Sequence, residues 1–199
     1  GATFAISPGT TPELLAAGMP DLRFIFPNAP VRPGTINNGY EMRAWYDIVG
    51  IDRRSAEDFS GIQASTDAIG ALIRKENERG IATNRIALAG FSQGGAMALH
   101  IATRLPEKLA GVIALSCYLP LADSFTRERT LASAGVPIFM AHGTSDPIVP
   151  LARGVSSRDA LTAAGHAIEW HQYPMPHSVN EQEIRDIAVI RRTAKGWSQ

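Results

Sequence analysis

The sequence predicts an α/β fold in which a mostly parallel central sheet carries helices on both of its faces. The first observation is that short apolar runs rich in β-branched and aromatic residues, typical of buried strands, alternate along the chain with amphipathic helical patterns. The second is that 199 residues, 45% of them hydrophobic, suit one domain with an ordinary core. We therefore expect a single domain over residues 1–199.

Five segments have the strand pattern and four have the helical one. The predicted strands are residues 23–26, 85–89, 111–116, 136–141 and 167–173. The predicted helices are residues 58–79, 93–105, 152–164 and 181–194. Gly80 suits the end of the first helix, and Asn180 is a plausible N-cap of the last, with Glu181 and Glu183 in the first turn.

Charge and cysteine content exclude several classes of function. Lys plus Arg and Asp plus Glu both number 19, so no net charge attracts nucleic acid or an acidic membrane. Cys117 is the one cysteine, so no intrachain disulfide requires an oxidising compartment. No apolar run approaches the ~20 residues of a membrane span, and the residues after Gly1 lack a signal-peptide pattern. We expect a soluble cytoplasmic protein without a nucleic-acid partner or integral membrane association.

The strongest chemical signal is Gly90-Phe91-Ser92-Gln93-Gly94, which lies between a predicted strand and a predicted helix. In this context Gly-x-Ser-x-Gly is typical of a nucleophile elbow, a strained turn that presents a serine hydroxyl. Such a turn favours residues without bulk at Gly90 and Gly94. The backbone N–H of Gln93 would then donate to an oxyanion. The alternative is a glycine-rich turn that carries a serine by chance.

An acid and a base follow the serine in the order that this elbow requires. Asp146 lies in a Gly- and Pro-rich loop just after the strand 136–141, although an Asp before Pro147 is also common in plain turns. His177 lies in the loop after the last strand. The other four histidines fit structural or surface positions better; they are His100, His142, His166 and His171.

These three residue types explain one another chemically. A serine hydroxyl is a weak nucleophile that needs a base, and the base needs a carboxylate to hold its tautomer. The pattern implies neither a cofactor nor a metal, since the histidines lack close ligand spacing and Cys117 has no partner motif. The sequence therefore predicts Ser92, Asp146 and His177 as the catalytic residues of a serine esterase.

The chain resembles the phospholipase/carboxylesterase family, which includes carboxylesterases and acyl-protein thioesterases. The matching segments run in order over nearly the whole chain, at residues 26–30, 38–42, 45–47, 89–95, 142–146 and 173–177. The resemblance implies the α/β-hydrolase fold and hydrolysis of esters with short to medium acyl chains. Some members act on lysophospholipids or on thioester-linked acyl groups of proteins.

The chain departs from the family pattern at three places. Family members open with a strand that ends in His-Gly-Leu-Gly and supplies a second oxyanion donor. The sequence from Gly1 lacks this strand and loop, either because the segment is absent or because it precedes Gly1 in the protein. The family's Met-Pro-Ser-Trp is Met42-Arg43-Ala44-Trp45 here, which adds a charge beside the acyl pocket. Pro176 stands where a glycine usually precedes the histidine.

We therefore predict a carboxylesterase that hydrolyses small acyl esters through an acyl-enzyme on Ser92. Trp45 and Ile148 are the predicted walls of the substrate pocket. The alternatives are an acyl-protein thioesterase or lysophospholipase and, more remotely, a catalytically silent binding protein with a hydrolase fold. The sequence leaves open whether the protein forms a homodimer.

Overall fold

The structure is a computed structural model that describes residues 2–4, 22–50 and 56–193, with side-chain surroundings over residues 23–50 and 56–189. The strands are β1 (Ala2–Phe4), β2 (Leu22–Phe24), β3 (Val31–Pro33), β4 (Glu41–Arg43), β5 (Ala87–Phe91), β6 (Gly111–Leu115), β7 (Ile138–Gly143) and β8 (Ile168–Tyr173). The α-helices are α1 (Phe59–Glu78), α2 (Gln93–Arg104), α3 (Ala122–Glu128), α4 (Leu151–Ala163) and α5 (Glu181–Thr193).

The central sheet is parallel, with its strands in the order β5-β6-β7-β8. Leu88, Val112, Ile138 and Ile168 are aligned across the four strands. Helix α2 connects β5 to β6, α3 lies between β6 and β7, and α4 connects β7 to β8. Because all four strands run the same way, their carboxyl ends meet at one edge, where ligands bind in such sheets.

Alternating residues of these strands face two separate cores. Leu88 and Met140 point into a core that includes Ile62 of α1, Leu99 of α2 and Leu161 of α4. Their neighbours Ala89, Ile113 and Phe139 point into the opposite core, where Ile184 and Ile187 of α5 pack. The expected α/β architecture, with helices on both faces of the sheet, is confirmed.

Side-chain caps fix the starts of the first and last helices. Asp58 Oδ1 accepts a hydrogen bond of 2.8 Å from the N–H of Gly61 at the start of α1. Asn180 Oδ1 accepts one of 2.9 Å from the N–H of Glu183 at the start of α5, so the predicted cap is confirmed. Gly80, with a φ of 87°, follows the end of α1, as its position in the sequence predicts.

The structure adds elements that the apolar pattern did not predict. Strands β3 and β4 form an antiparallel hairpin around Asn38 and Gly39, both with positive φ. These strands are largely exposed, so no alternation of apolar residues marks them. Helix α3 is only 7 residues long and buries Phe125 alone. Strand β1 pairs in parallel with β2. Residues 5–21, which join these two strands, lie outside the described residues.

All five predicted strands differ from the observed ones by one or two residues at one or both ends. The strand expected at 85–89 runs instead from Ala87 to Phe91, because Thr83–Arg85 forms a 3-10 turn.

Within the described part of the chain, no helix combines the length and the apolar character needed to cross a membrane.

Candidate active site

Ser92 occupies a strained turn between β5 and α2. Its φ of 54° and ψ of −122° lie in a region that non-glycine residues rarely adopt. The N–H of Ser92 donates to the carbonyl oxygen of Leu115 in β6 at 2.9 Å, and its own carbonyl accepts from the N–H of Ala96 at 3.0 Å. The neighbouring strand and the following helix thus hold this backbone in place.

The two glycines beside Ser92 have different surroundings. A Cβ at Gly90 would lie 2.1 Å from the carbonyl carbon of Gly94, which no side chain could accommodate. A Cβ at Gly94 would meet nothing within 4 Å, so the expectation that both positions exclude a side chain is wrong for Gly94. The reason is that Gly94, in the first turn of α2, borders an open cavity.

Gly95, which sequence reasoning did not single out, makes the other close approach. A Cβ there would lie 2.9 Å from Sγ of Cys117, just after β6. Cys117 is 1% exposed, and burial raises the pKa of its thiol. The thiol therefore supports the packing of α2 on the sheet and is not poised as a nucleophile.

Asp146 and His177 are brought together by the loops after β7 and β8. Oδ2 of Asp146 lies 2.7 Å from Nδ1 of His177, and Oδ1 accepts from the N–H groups of Ile148 at 2.9 Å and Val149 at 2.8 Å. Burial of the Asp146 carboxylate opposes its ionisation, but the hydrogen bond from His177 and the two N–H groups outweigh it, so its pKa is lowered. The ring of Phe91 packs against the ring of His177, with 4.6 Å between the ring centroids.

Backbone hydrogen bonds join these two loops. The N–H of Thr144 donates to the carbonyl of Tyr173 at 2.9 Å, and the N–H of Ser145 donates to that of Met175 at 3.2 Å. With Pro176 in place of the family's glycine, His177 still makes its hydrogen bond to Asp146. The departure at Pro176 is thus compatible with the pairing of acid and base.

Gln93 has a second set of contacts that sequence reasoning missed. It is the first residue of α2, so its backbone N–H has no acceptor within the helix. Its side chain reaches the segment after β4, where Nε2 donates to the carbonyl of Tyr46 at 2.8 Å and Oε1 accepts from the N–H of Trp45 at 3.0 Å. No pattern in the sequence signals this contact, because it joins residues 47 and 48 positions apart.

An apolar cavity of about 570 Å³ lies beside Ser92. Trp45 lines it, as predicted. Ile148 does not: its side chain is on the surface, 56% exposed, and only its N–H takes part in the site, on Asp146. The apolar lining comes from the hairpin region, α1 and α2, and includes Met42, Trp45, Ile48, Ile69, Met97 and Ile101.

The remaining histidines have separate surroundings, with one exception. His100 is buried in α2, and burial followed by the nearby charge of Arg104 lowers its pKa to about 4. His166 is buried near Phe125, and His171 pairs with Glu169 at 3.0 Å. His142 is the exception, because its Nε2 lies 3.5 Å from Oδ2 of Asp146.

The parallel sheet, the strained Ser92 turn after β5 and the paired acid and histidine after β7 and β8 define the chain as an α/β-hydrolase. Solved structures share this fold over almost the whole chain. The Arabidopsis thaliana protein SOBER1 matches with a TM-score of 0.88 and 28% identity, covering 98% of this chain and 100% of that one. The Bacillus cereus carboxylesterase matches with a TM-score of 0.76, 18% identity and coverage of 97% and 87%, which shows likeness of fold alone.

The chain belongs to the phospholipase/carboxylesterase family, whose model matches residues 11–192. Acyl-protein thioesterase 1 of Mycosarcoma maydis is 41% identical over 183 residues, which are 85% of this chain and 76% of that protein. Acyl-protein thioesterase 1 of Neurospora crassa is 42% identical over 172 residues, which are 82% and 70% of the two chains. The protein is therefore a serine hydrolase that acts on ester or thioester bonds.

Proposed function

We propose that the protein is an acyl-protein thioesterase, which releases fatty acyl groups from cysteine side chains of other proteins. This replaces the small-ester carboxylesterase that we expected from the sequence. The names of the related proteins favour the thioesterase, and the observation that carries the proposal is the apolar cavity beside Ser92.

The cavity suits an acyl chain in size and chemistry. Its volume of about 570 Å³ falls in the range of sites that enclose small organic ligands. Met42, Ile69, Met97 and Ile101 offer an acyl chain contacts with carbon and sulfur atoms. Each methylene group buried there contributes about 0.8 kcal/mol to binding, so a longer acyl chain binds more strongly than an acetyl group.

In the proposed mechanism, His177 activates Ser92. Nδ1–H of His177 donates a hydrogen bond to Asp146, so Nε2 of the neutral ring is free to accept a proton. As Nε2 takes the hydroxyl proton, Oγ of Ser92 bonds to the thioester carbonyl carbon. The N–H of Gln93 donates to the oxyanion that forms.

Collapse of this intermediate breaks the carbon–sulfur bond. The leaving thiolate takes the proton from Nε2 of His177 and departs as a protein thiol, and the acyl group remains on Ser92. A water molecule then attacks the acyl carbon while His177 accepts its proton. The carboxylic acid leaves, the proton returns to Oγ, and one thioester and one water have become one acid and one thiol.

The test compares two peptides that carry the same octanoyl or palmitoyl group, one on a cysteine sulfur and the other on a serine oxygen. We expect a higher kcat/KM for the thioester, increasing from acetyl to the longer acyl groups. Preference for short p-nitrophenyl esters would instead support the carboxylesterase, and preference for lysophosphatidylcholine the lysophospholipase.

Ser92→Ala is the control for all of these substrates. We expect it to lose hydrolysis of every substrate and to lose labelling by a fluorophosphonate probe, while its circular dichroism stays that of the parent. Retained activity in Ser92→Ala would remove the proposed nucleophile, and absence of labelling in the parent would favour a silent binding protein.

A further inference from the structure

His142 is buried beside the proposed catalytic acid without belonging to the predicted catalytic residues. It lies near the end of β7 and is 1% exposed. Its Nε2 lies 2.8 Å from the carbonyl oxygen of Val149 and 3.5 Å from Oδ2 of Asp146. The same nitrogen therefore faces both the acid and the loop that carries it.

The partner of Nε2 fixes the tautomer of His142. A carbonyl oxygen only accepts, so the 2.8 Å contact with Val149 requires a proton on Nε2. The hydrogen on Nε2 carries a partial positive charge, and it lies close to Oδ2 of Asp146. That oxygen is the one that accepts from Nδ1 of His177 at 2.7 Å.

Val149 is thereby held at both of its backbone polar groups. Its N–H donates to Oδ1 of Asp146 at 2.8 Å, and its carbonyl accepts from His142. The turn 146–149 is closed from one side by the carboxylate and from the other by the imidazole. Movement of the His142 ring would release the carbonyl of Val149 and, with it, the N–H that orients Asp146.

The ring of His142 is itself confined. Trp170 of β8 stacks near it, with 6.3 Å between ring centroids and an angle of 29° between the planes. On the other edge, a Cβ at Gly154 of α4 would lie only 2.5 Å from Nδ1. A glycine at this position lets α4 approach the ring closely enough to hold it.

We propose that His142 is a positioning residue that holds Asp146 in the orientation from which Oδ2 accepts a hydrogen bond from Nδ1–H of His177. The inference rests on the proposed roles of Asp146 and His177. With one oxygen occupied by two N–H groups and the other by His177, a small rotation of the carboxylate would lengthen its bond to the catalytic base. A displacement of about 1 Å at such a point reduces turnover by on the order of 10²-fold.

Three variants test this role. His142→Phe keeps an aromatic ring beside Trp170 but removes the N–H, whereas His142→Gln places an amide N–H near the position of Nε2. Gly154→Ala leaves His142 in place but pushes on its ring. We expect kcat to fall by on the order of 10²-fold in His142→Phe, with KM nearly unchanged. In His142→Gln we expect most of the parental kcat to be restored. In Gly154→Ala we expect kcat to fall.

The second readout is the low-field proton resonance of Nδ1–H in His177, together with the acid side of the pH–rate profile. We expect His142→Phe and Gly154→Ala to shift or lose this resonance and to move the acid limb, and His142→Gln to preserve both. The melting temperature identifies a variant that fails to fold. The remaining two of the three variants then decide the test.

Parental kcat and an unchanged resonance in the folded variants would overturn the positioning role. That result is distinct from failure of the proposed function. If Ser92→Ala were still active, the proposed mechanism would fail; if Ser92→Ala were inactive while His142→Phe matched the parent, only the inference about His142 would fail.

Discussion

Gly90 and Gly94 flank Ser92 symmetrically in the sequence, yet the backbone of Gly94 blocks a side chain at Gly90 and nothing blocks one at Gly94. A Cβ at Gly90 would lie 2.1 Å from the carbonyl carbon and 2.3 Å from the carbonyl oxygen of Gly94. Position 94 opens toward the cavity that we assign to the acyl chain. Gly90 thus permits the turn at Ser92, and Gly94 leaves space in the cavity beside that turn.

The matched pair Gly90→Ala and Gly94→Ala should therefore behave differently. We expect Gly90→Ala to lose about 3 kcal/mol or more of stability, since the contact is with backbone that cannot rotate away. For a domain of this size each kcal/mol lowers the melting temperature by about 2–4 °C. Gly94→Ala should keep or raise the melting temperature, because alanine favours a helix, while it alters turnover of the longer acyl groups. Equal destabilisation by both changes would contradict this assignment.

Asp146→Asn should reduce kcat by on the order of 10⁴-fold while the protein stays folded, since an amide does not hold the imidazole in the required tautomer. Because the pKa of Asp146 is lowered, its carboxylate stays charged at every pH used for the assay. Any loss of activity between neutral pH and pH 5 must then come from the titration of a group other than Asp146. The pH–rate profile of the parent and the kcat of the variant test this; a variant within tenfold of the parent would speak against Asp146 as the acid.

Gln93→Met removes both hydrogen bonds to the wall of the cavity while preserving the backbone N–H next to Ser92. Each bond contributes about 0.5–1.5 kcal/mol, and its loss also leaves the N–H of Trp45 and the carbonyl of Tyr46 without their partner. We expect the ratio of kcat/KM between octanoyl and acetyl substrates to change more than kcat itself. Gln93→Glu, which retains an acceptor for Trp45 but no donor for Tyr46, should lie between parent and Gln93→Met, and an unchanged ratio in both would exclude this coupling.

Glu183→Gln should make the protein more stable at pH 8 but not at pH 4. Glu183 is 0% exposed, and neither carboxylate oxygen has a hydrogen-bond partner in the described structure. Burial raises the pKa of Glu183 from 4.5 to about 7; the nearby backbone N–H of Asn180 opposes this shift, and the charge of Asp186 adds to it. The folded state then binds more protons than the unfolded one between these pH values, so stability is full below about pH 4.5 and falls as the pH rises through 7.

A shift of that size corresponds to about 3 kcal/mol at alkaline pH. The measurement is the free energy of unfolding by urea at pH 4, 6 and 8. Glu181→Gln is the control, because the side chain of Glu181 is 83% exposed on the same helix. If the two variants gave the same pH dependence, the buried charge of Glu183 would not be the cause.

The sequence predicted the positions of the site more fully than its contacts. Ser92, Asp146 and His177 each follow a strand of a parallel sheet, and strands of that kind end at one edge. The apolar runs identified these strands, although the fold of the segment from 31 to 43 went unpredicted despite the turn signal of Asn38 and Gly39. Its strands expose most of their side chains and leave no apolar periodicity.

Contacts between distant segments explain the errors. The difference between Gly90 and Gly94 depends on how α2 is rotated against β5, which no local pattern specifies. Ile148 lies in a loop, where periodicity does not determine the direction of a side chain. His142 directly follows the predicted strand 136–141, but the loop that returns to it carries Val149, and only the folded chain brings the two within hydrogen-bond distance.

The sequence contains one cysteine, and it lies where α2 meets β6 behind the Ser92 turn. At 1% exposure, Cys117 is accessible to a thiol-reactive dye only when that interface opens. The rate of dye attachment to the unmodified protein would therefore report how often the packing behind the Ser92 turn opens, without any engineered label. Measured with and without an acylated Ser92, this rate would tell whether the covalent intermediate makes the turn more rigid.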